Sequence, residues 1–277
     1  MANVLPRRGY ATDVTTAQWQ VIAPLLARPA GPGRPTRVAV RQVLNALLYQ
    51  ARTGCPWRLL PQDFPHWTAV RYYFDKWAAD GTWEAVNDRL VEQTREHRGR
   101  AAQPTAALID SQSSKTTEAG GERGFDGGKK INGRKRHYLV DTEGHLLAVL
   151  VEAADRADRD AARWLLRAVD HRWTHLQKIW ADQAYNGDLG EWLHRVYGIT
   201  LEVVSRPAGQ QGFQVLPRRW VVERTIAWQG RHRRLSKDYE HTAAASETWC
   251  YIASIALLLR RLRPDPTVER PYLRKVA

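Results

Sequence analysis

Two short apolar runs, AALID at 106–110 and KIWAD at 178–182, each end in an aspartate, Asp110 and Asp182. A third acid, Glu223, stands among arginines in PRRWVVERTIAWQGRHRRLSKDYE, residues 217–240. Carboxylates are hard oxygen ligands, and three of them drawn together repel one another unless cations sit between them. With water and a phosphate filling the other positions, three suffice to hold two Mg²⁺ or Mn²⁺ ions roughly 4 Å apart. Such a pair cleaves phosphodiesters: one ion activates a water or a 3′-hydroxyl, and the other stabilises the departing oxygen. Each acid also has a plainer use. An aspartate closing a strand commonly starts a turn. Glu223 follows Arg219 by four residues, the spacing of a surface helix salt bridge worth about a few tenths of a kcal/mol.

The elements that would have to position these acids can be read from hydrophobic spacing. Residues 217–240 predict a helix of about five turns, with Pro217 near its start, where proline's fixed φ does no harm. Val221, Trp228 and Leu235 recur at seven-residue intervals, and Val222 and Ile226 widen that stripe into a core-facing side. Helical geometry places Glu223 on the same side as Arg219 and Arg234. Residues 106–110, 178–182 and 200–204 read as strands, and 137–141 with 145–151, joined by the turn DTEG, as a hairpin. Helical spacing covers 158–171, 189–197 and 242–262. A hairpin followed by strands alternating with helices predicts a mixed α/β sheet flanked by helices, with ligands at the carboxyl ends of its strands. Residues 111–136, with six glycines, read as a long basic loop.

Ahead of this part, 13–27, 38–52, 66–79 and 82–97 read as helices, punctuated by the basic segment 28–37, by Gly54 and CPWRLLPQDFP, and by Gly81. Short helices joined by tight turns, with Arg71 and Lys76 exposed, are compatible with a helix-turn-helix-like reader of DNA. The polar stretch 97–104 loses the hydrophobic period. The expected organisation is a helical domain at 1–98, a linker at 99–104, a catalytic α/β domain at 105–263 and a tail at 264–277.

Charge names the partner class. The 277 residues carry a formal net charge of +13 and a pI near 10.1, an excess that suits a polyanion, most commonly nucleic acid. Lys115, Lys129, Lys130, Arg134, Lys135 and Arg136 flank the first acid, and Arg219, Arg231, Arg234 and Lys237 flank the last; all are candidate phosphate contacts. A hydrophobic share of 43% is ordinary for a globular chain. Cys55 and Cys250 have no partner at metal spacing and read as free thiols. No charged-then-apolar leader pattern opens the sequence, and the longest apolar run, 252–259, is too short for a bilayer, so a cytoplasmic protein without a membrane partner is expected. Competing acids have local explanations: Asp141 in its turn, Asp158 and Asp160 at a helix start. His137 and His145 lack zinc spacing and are kept as hairpin residues.

Taken together, LIDSQSSKT, GGKKINGRKRHYLVDTEGHLLAVLVEAAD, WADQAYNG and PRRWVVERTIAWQGRHRRLSKDYE resemble the IS5 family of insertion-sequence transposases, and GCPWRLLP and YYFDKWAADGTWE are similar to that family's helical domain. The resemblance implies an RNase H-like DDE catalytic domain, with Asp110, Asp182 and Glu223 as its metal ligands and two Mg²⁺ or Mn²⁺ as cofactors. It also implies DNA partners (the terminal inverted repeats and target DNA) and a homodimer in the synaptic complex. The family's signature of tyrosine, arginine, glutamate and lysine is met by Arg219 and Glu223, whereas Leu216 and Gly230 stand where its tyrosine and lysine would be. Arg231 and Lys237 are the nearest candidates for the missing charge.

Overall fold

The computed structural model describes residues 9–26, 38–204 and 219–266. The basic segment 28–37, Pro217, Leu216 and residues 267–277 lie outside them. The helical part begins with α1 (Thr16–Leu26), α2 (Val40–Thr53), α3 (Trp67–Ala79) and α4 (Thr82–His97). In α2, Val43, Leu44, Leu47, Leu48 and Ala51 share a buried side, the amphipathic pattern read from the sequence. Gly54 then takes φ +74°, and its N–H caps the carbonyl of Gln50, ending the helix as a left-handed glycine does. Between α3 and α4, Asp80 Oδ1 accepts the N–H of Thr82 at 3.1 Å, and the indole of Trp83 donates to the Phe74 carbonyl.

The sheet is built from β1 (Ala106–Lys115), β2 (Gly124–Asp126), β3 (Ile131–Asp141), β4 (Leu146–Ala153), β5 (Lys178–Ala181) and β6 (Thr200–Val203). Its order is β4-β3-β1-β5-β6, with β2 on β3 beyond the end of β4. The hairpin half is antiparallel and the β1–β5–β6 half parallel, giving the mixed, RNase H-like sheet. Helices α5 (Asp158–Arg167), α6 (Leu189–Tyr197), α7 (Trp220–Gly230) and α8 (Ala243–Leu262) flank it. Most of α8 is buried, including Trp249, Ile252, Ile255 and Leu259. It packs against α1 to α4 on one side and β4 on the other, so the helical part and the sheet share one apolar core. Two polar bonds tie that junction: Ser254 Oγ donates to Asn87 Oδ1, and Asn87 Nδ2 donates to the Leu146 carbonyl. No helix among the described residues is long and apolar enough to cross a membrane.

Two expectations need correction. The stretch 111–136 is largely strand: β1 continues to Lys115 and pairs with β3 from Ser111↔His137 to Lys115↔Gly133. The helix expected over 217–240 is α7 alone. Beyond Gly230 the chain turns through His232, which is extended, into a short 3₁₀ turn, Arg233–Leu235. Leu235 is nonetheless buried, so the apolar stripe is real although it spans a break.

Candidate active site

Strand pairing brings the first two acids side by side. β1 and β5 are adjacent and parallel, with Ala106 opposite Lys178 and Leu108 opposite Trp180. Continued two residues, that register sets Asp110, midway along β1, level with Asp182 just past the end of β5. Each is oriented by its own backbone: Asp110 Oδ1 accepts the N–H of Ser111 at 2.7 Å, and Asp182 Oδ1 accepts that of Ala184 at 2.9 Å, capping the 3₁₀ turn Gln183–Tyr185. The third acid arrives from above. Helix α7 lies over β1 and β3, burying Val221 and Val222, and this leaves Glu223 on its open side.

All three carboxylates face one guanidinium. Arg219 Nη2 is 3.8 Å from Asp110 Oδ2, 3.8 Å from Asp182 Oδ2 and 3.4 Å from Glu223 Oε1. The surface pair read from the i, i+4 spacing therefore exists, but it is one arm of a three-way contact. Solvent access is graded: the side chains of Asp110, Asp182 and Glu223 are 14%, 27% and 51% exposed. Burial, reinforced by the neighbouring Asp182, pushes the Asp110 carboxyl up to about 6, against the pull of the Ser111 N–H, Arg219 and Lys129. Lys129 is nearby, its ammonium donating to the Ser111 carbonyl at 3.3 Å. Sequence reasoning passed over Tyr185, which is fully buried behind the acids. Burial and the charges of Asp158, Asp110 and Asp182 hold its phenol well above the usual range. Its place in WADQAYNG, three residues after Asp182, was the available signal.

The basic residues divide. Lys115, Lys129, Lys130, Arg231 and Lys237 are exposed. Lys115 and Lys237 are brought together, since the Lys115 carbonyl accepts the N–H of Asp238. Arg71 and Lys76 are partly exposed on α3, each with a carboxylate one turn on, Asp75 and Asp80. Arg134, Lys135, Arg136 and Arg234 turn inward, which corrects the expectation that they line a surface track. Arg134 donates to Asp238, to the carbonyls of Glu122, Glu240 and His241, and is sealed from solvent. Arg136 donates to the carbonyls of Leu235 and Lys237, Lys135 to Asp158 and the Arg156 carbonyl, and Arg234 to Glu240. Arg134 and Arg136 fasten the segment after α7 to the sheet, Lys135 ties β3 to the start of α5, and Arg234 braces that segment internally.

A second acidic group has the composition of a divalent site: ligand atoms of Asp141, Glu143 and His145 lie within 4.8 Å of one another. The Asp141 oxygens are already engaged, whereas Glu143 Oε2 and His145 Nε2 are buried without a hydrogen bond. Asp141 Oδ1 accepts the N–H groups of Glu143 and His145, while Oδ2 faces Arg95 Nη1 at 2.5 Å and His145 Nδ1 at 3.0 Å. Against the upward push of burial, His145 and Arg95 hold the Asp141 carboxyl well below the usual range. Asp141 thus braces the β3–β4 turn against α4.

Comparison with known families agrees with this architecture. Residues 101–259, more than half of the chain, match the family model of the transposase DDE domain, and residues 14–87 match that of transposases of the IS4/5 family. No curated protein matches at a meaningful level. A match that runs from the first strand of the sheet into its last helix, preceded by a second one over the helical part, places the chain among the DDE transposases of the IS4/5 insertion sequences.

Proposed function

We propose that Asp110, Asp182 and Glu223 hold two divalent ions, Mg²⁺ or Mn²⁺, and that the chain cuts the ends of its insertion sequence and joins the freed 3′-hydroxyls to target DNA. The observation that supports this is the convergence of the three carboxylates on a single cationic nitrogen, none farther than 3.8 Å. The donor set suits hard divalent ions, being all carboxylate and partly open to solvent. Burial, then the neighbouring Asp182, keeps Asp110 hard to ionise even with Arg219 in contact, and a bound cation would favour its charged form. Ions bound at this place would activate the attacking oxygen and stabilise the departing one.

The chain's own residues supply position and access. The Ser111 and Ala184 N–H groups aim Asp110 and Asp182 side by side, so that both present their Oδ2 atoms to the same space. Glu223, the most exposed of the three, closes the space from the helix side and leaves the solvent side free for a DNA strand. Lys115, Lys129, Lys130, Arg231 and Lys237 would neutralise phosphates of that strand, with Lys129 beside the acids. The helical part, at 1–98 in the division proposed here, would hold the terminal inverted repeats, Arg71 and Lys76 offering contacts, and two protomers would pair the two ends on cytoplasmic, nucleoid DNA. The test is Mg²⁺-dependent cleavage of duplexes carrying the element's ends by wild type, Asp182→Ala and Glu223→Ala, followed on gels that separate nicked from joined DNA. Cleavage and joining by wild type alone are expected. Cleavage without joined products would make the chain a nuclease, footprints without cleavage a DNA-binding regulator, and equal cleavage by the variants would remove the triad.

A further inference from the structure

Arg219 sits immediately before α7, one helical turn ahead of Glu223. A basic residue meant only for DNA would point outward. Arg219 turns in, its side chain 20% exposed, and presents one nitrogen to three acids from two strands and a helix. Arg219 donates one long hydrogen bond, 3.4 Å to Glu223 Oε1, and stands 3.8 Å from Asp110 and Asp182, beyond hydrogen-bond reach, so the guanidinium is shared among the acids and held loosely by all three. A pair held this loosely can be parted. Geometry also makes the position exclusive: a guanidinium between the carboxylates and a divalent ion bound by the same oxygens would compete for one space, and their charges repel.

We infer that Arg219 is a built-in competitor of the divalent ions, neutralising the acids in the metal-free chain and withdrawing from them as ions enter. The inference rests on the reading of Asp110, Asp182 and Glu223 as the ligands. It has a consequence for regulation. Because coupling between two binding events is reciprocal, whatever draws the guanidinium outward strengthens metal binding, and a DNA phosphate is the anion at hand. Metal loading would then favour the DNA-engaged chain over the free one.

The test uses the full chain without DNA, with Mn²⁺ titrated calorimetrically at pH 7.5 into wild type, Arg219→Gln, Arg219→Lys and Asp182→Asn. Arg219→Gln is expected to bind Mn²⁺ at least ~10-fold more tightly, equivalent to about 1.4 kcal/mol. Arg219→Lys, which keeps the charge, is expected to stay closer to wild type than Arg219→Gln does. Unchanged or weaker binding by Arg219→Gln overturns the inference. Melting provides a second readout: in EDTA, Arg219→Gln should melt below wild type, because its acids lose their counter-charge, and it should gain more on adding Mn²⁺. Equal melting in EDTA and equal gains would also overturn it. Asp182→Asn separates the two levels of reasoning. If it loses Mn²⁺ while Arg219→Gln matches wild type, the triad stands and the competitor falls; if it binds Mn²⁺ like wild type, the triad itself falls.

Discussion

Asp110→Asn should make the metal-free protein more stable at neutral pH while removing a proposed metal ligand. Asp110 is 14% exposed, and burial followed by the charge of Asp182 lifts its carboxyl from 3.8 to about 6. A carboxyl whose folded pKa is raised favours the folded state in its neutral form. That contribution is present in full below pH 4 and is lost as pH rises through 6. Two pH units at 1.36 kcal/mol each put the cost of the charged form at about 3 kcal/mol. That figure is already net of the Ser111 N–H bond, whose downward pull is part of the value near 6. A gain of about 3 kcal/mol corresponds to a melting temperature higher by roughly 6–12 °C. Calorimetric melting in EDTA at pH 7.5 and pH 5 reads both magnitude and sign. At pH 5 Asp110 is largely protonated in the folded chain but still ionised in the unfolded one, so the gain should fall to roughly half. An Asn variant no more stable than wild type at pH 7.5, or one equally stabilised at both pH values, would refute the reasoning.

Arg134→Met removes the nearest charge partner of fully buried Asp238, leaving it Arg136 at 3.8 Å and the Ser246 hydroxyl; a loss of about 3 kcal/mol is expected, read as the shift of a urea unfolding midpoint. Lys129→Ala combined with Lys130→Ala should leave that midpoint nearly unchanged. The same pair should flatten the salt dependence of DNA affinity by about 1 in log–log slope for each phosphate left without its lysine, measured by fluorescence anisotropy. His232 carries the opposite pH signature to Asp110: burial, then Arg260 and Arg52, lower it from 6.5 to about 4. Its contribution is therefore lost as pH falls from about 6.5 toward 4, and His232→Asn should show a shallower decline than wild type in unfolding free energy over that window.

The acids were legible because each Asp ends an apolar run and Glu223 is isolated among arginines. Their adjacency was not, since β1 and β5 are joined by a crossover of some sixty residues and their pairing register appears only in the folded sheet. Residues 111–136 misled for a physical reason. SQSSK and NGRKR lack apolar alternation, yet they form strands because Arg134, Lys135 and Arg136 are satisfied by Asp238, Asp158 and backbone carbonyls from distant segments. Periodicity sees a hydrophobic face and is blind to a buried ionic one. The same blindness put those residues, with Arg234, among the DNA contacts. At the far end of α7 the stop signal was present in Gly230, but a seven-residue stripe that includes Leu235 outweighed it; Leu235 reaches the core from a separate turn. Arg219 was read as a helix-surface partner of Glu223, and only the folded sheet beneath reveals its other two contacts.

The central claim is a location, and locating the ion tests it most directly. Fe²⁺ replaces Mg²⁺ at oxygen sites and, with ascorbate and peroxide, generates radicals that cut the polypeptide beside the bound ion. Fragments mapped by mass spectrometry should end near residues 110, 182 and 223 together, fade with excess Mg²⁺ and disappear in Asp182→Asn. Cuts confined to residues 141–145, or a pattern indifferent to Asp182, would contradict the account.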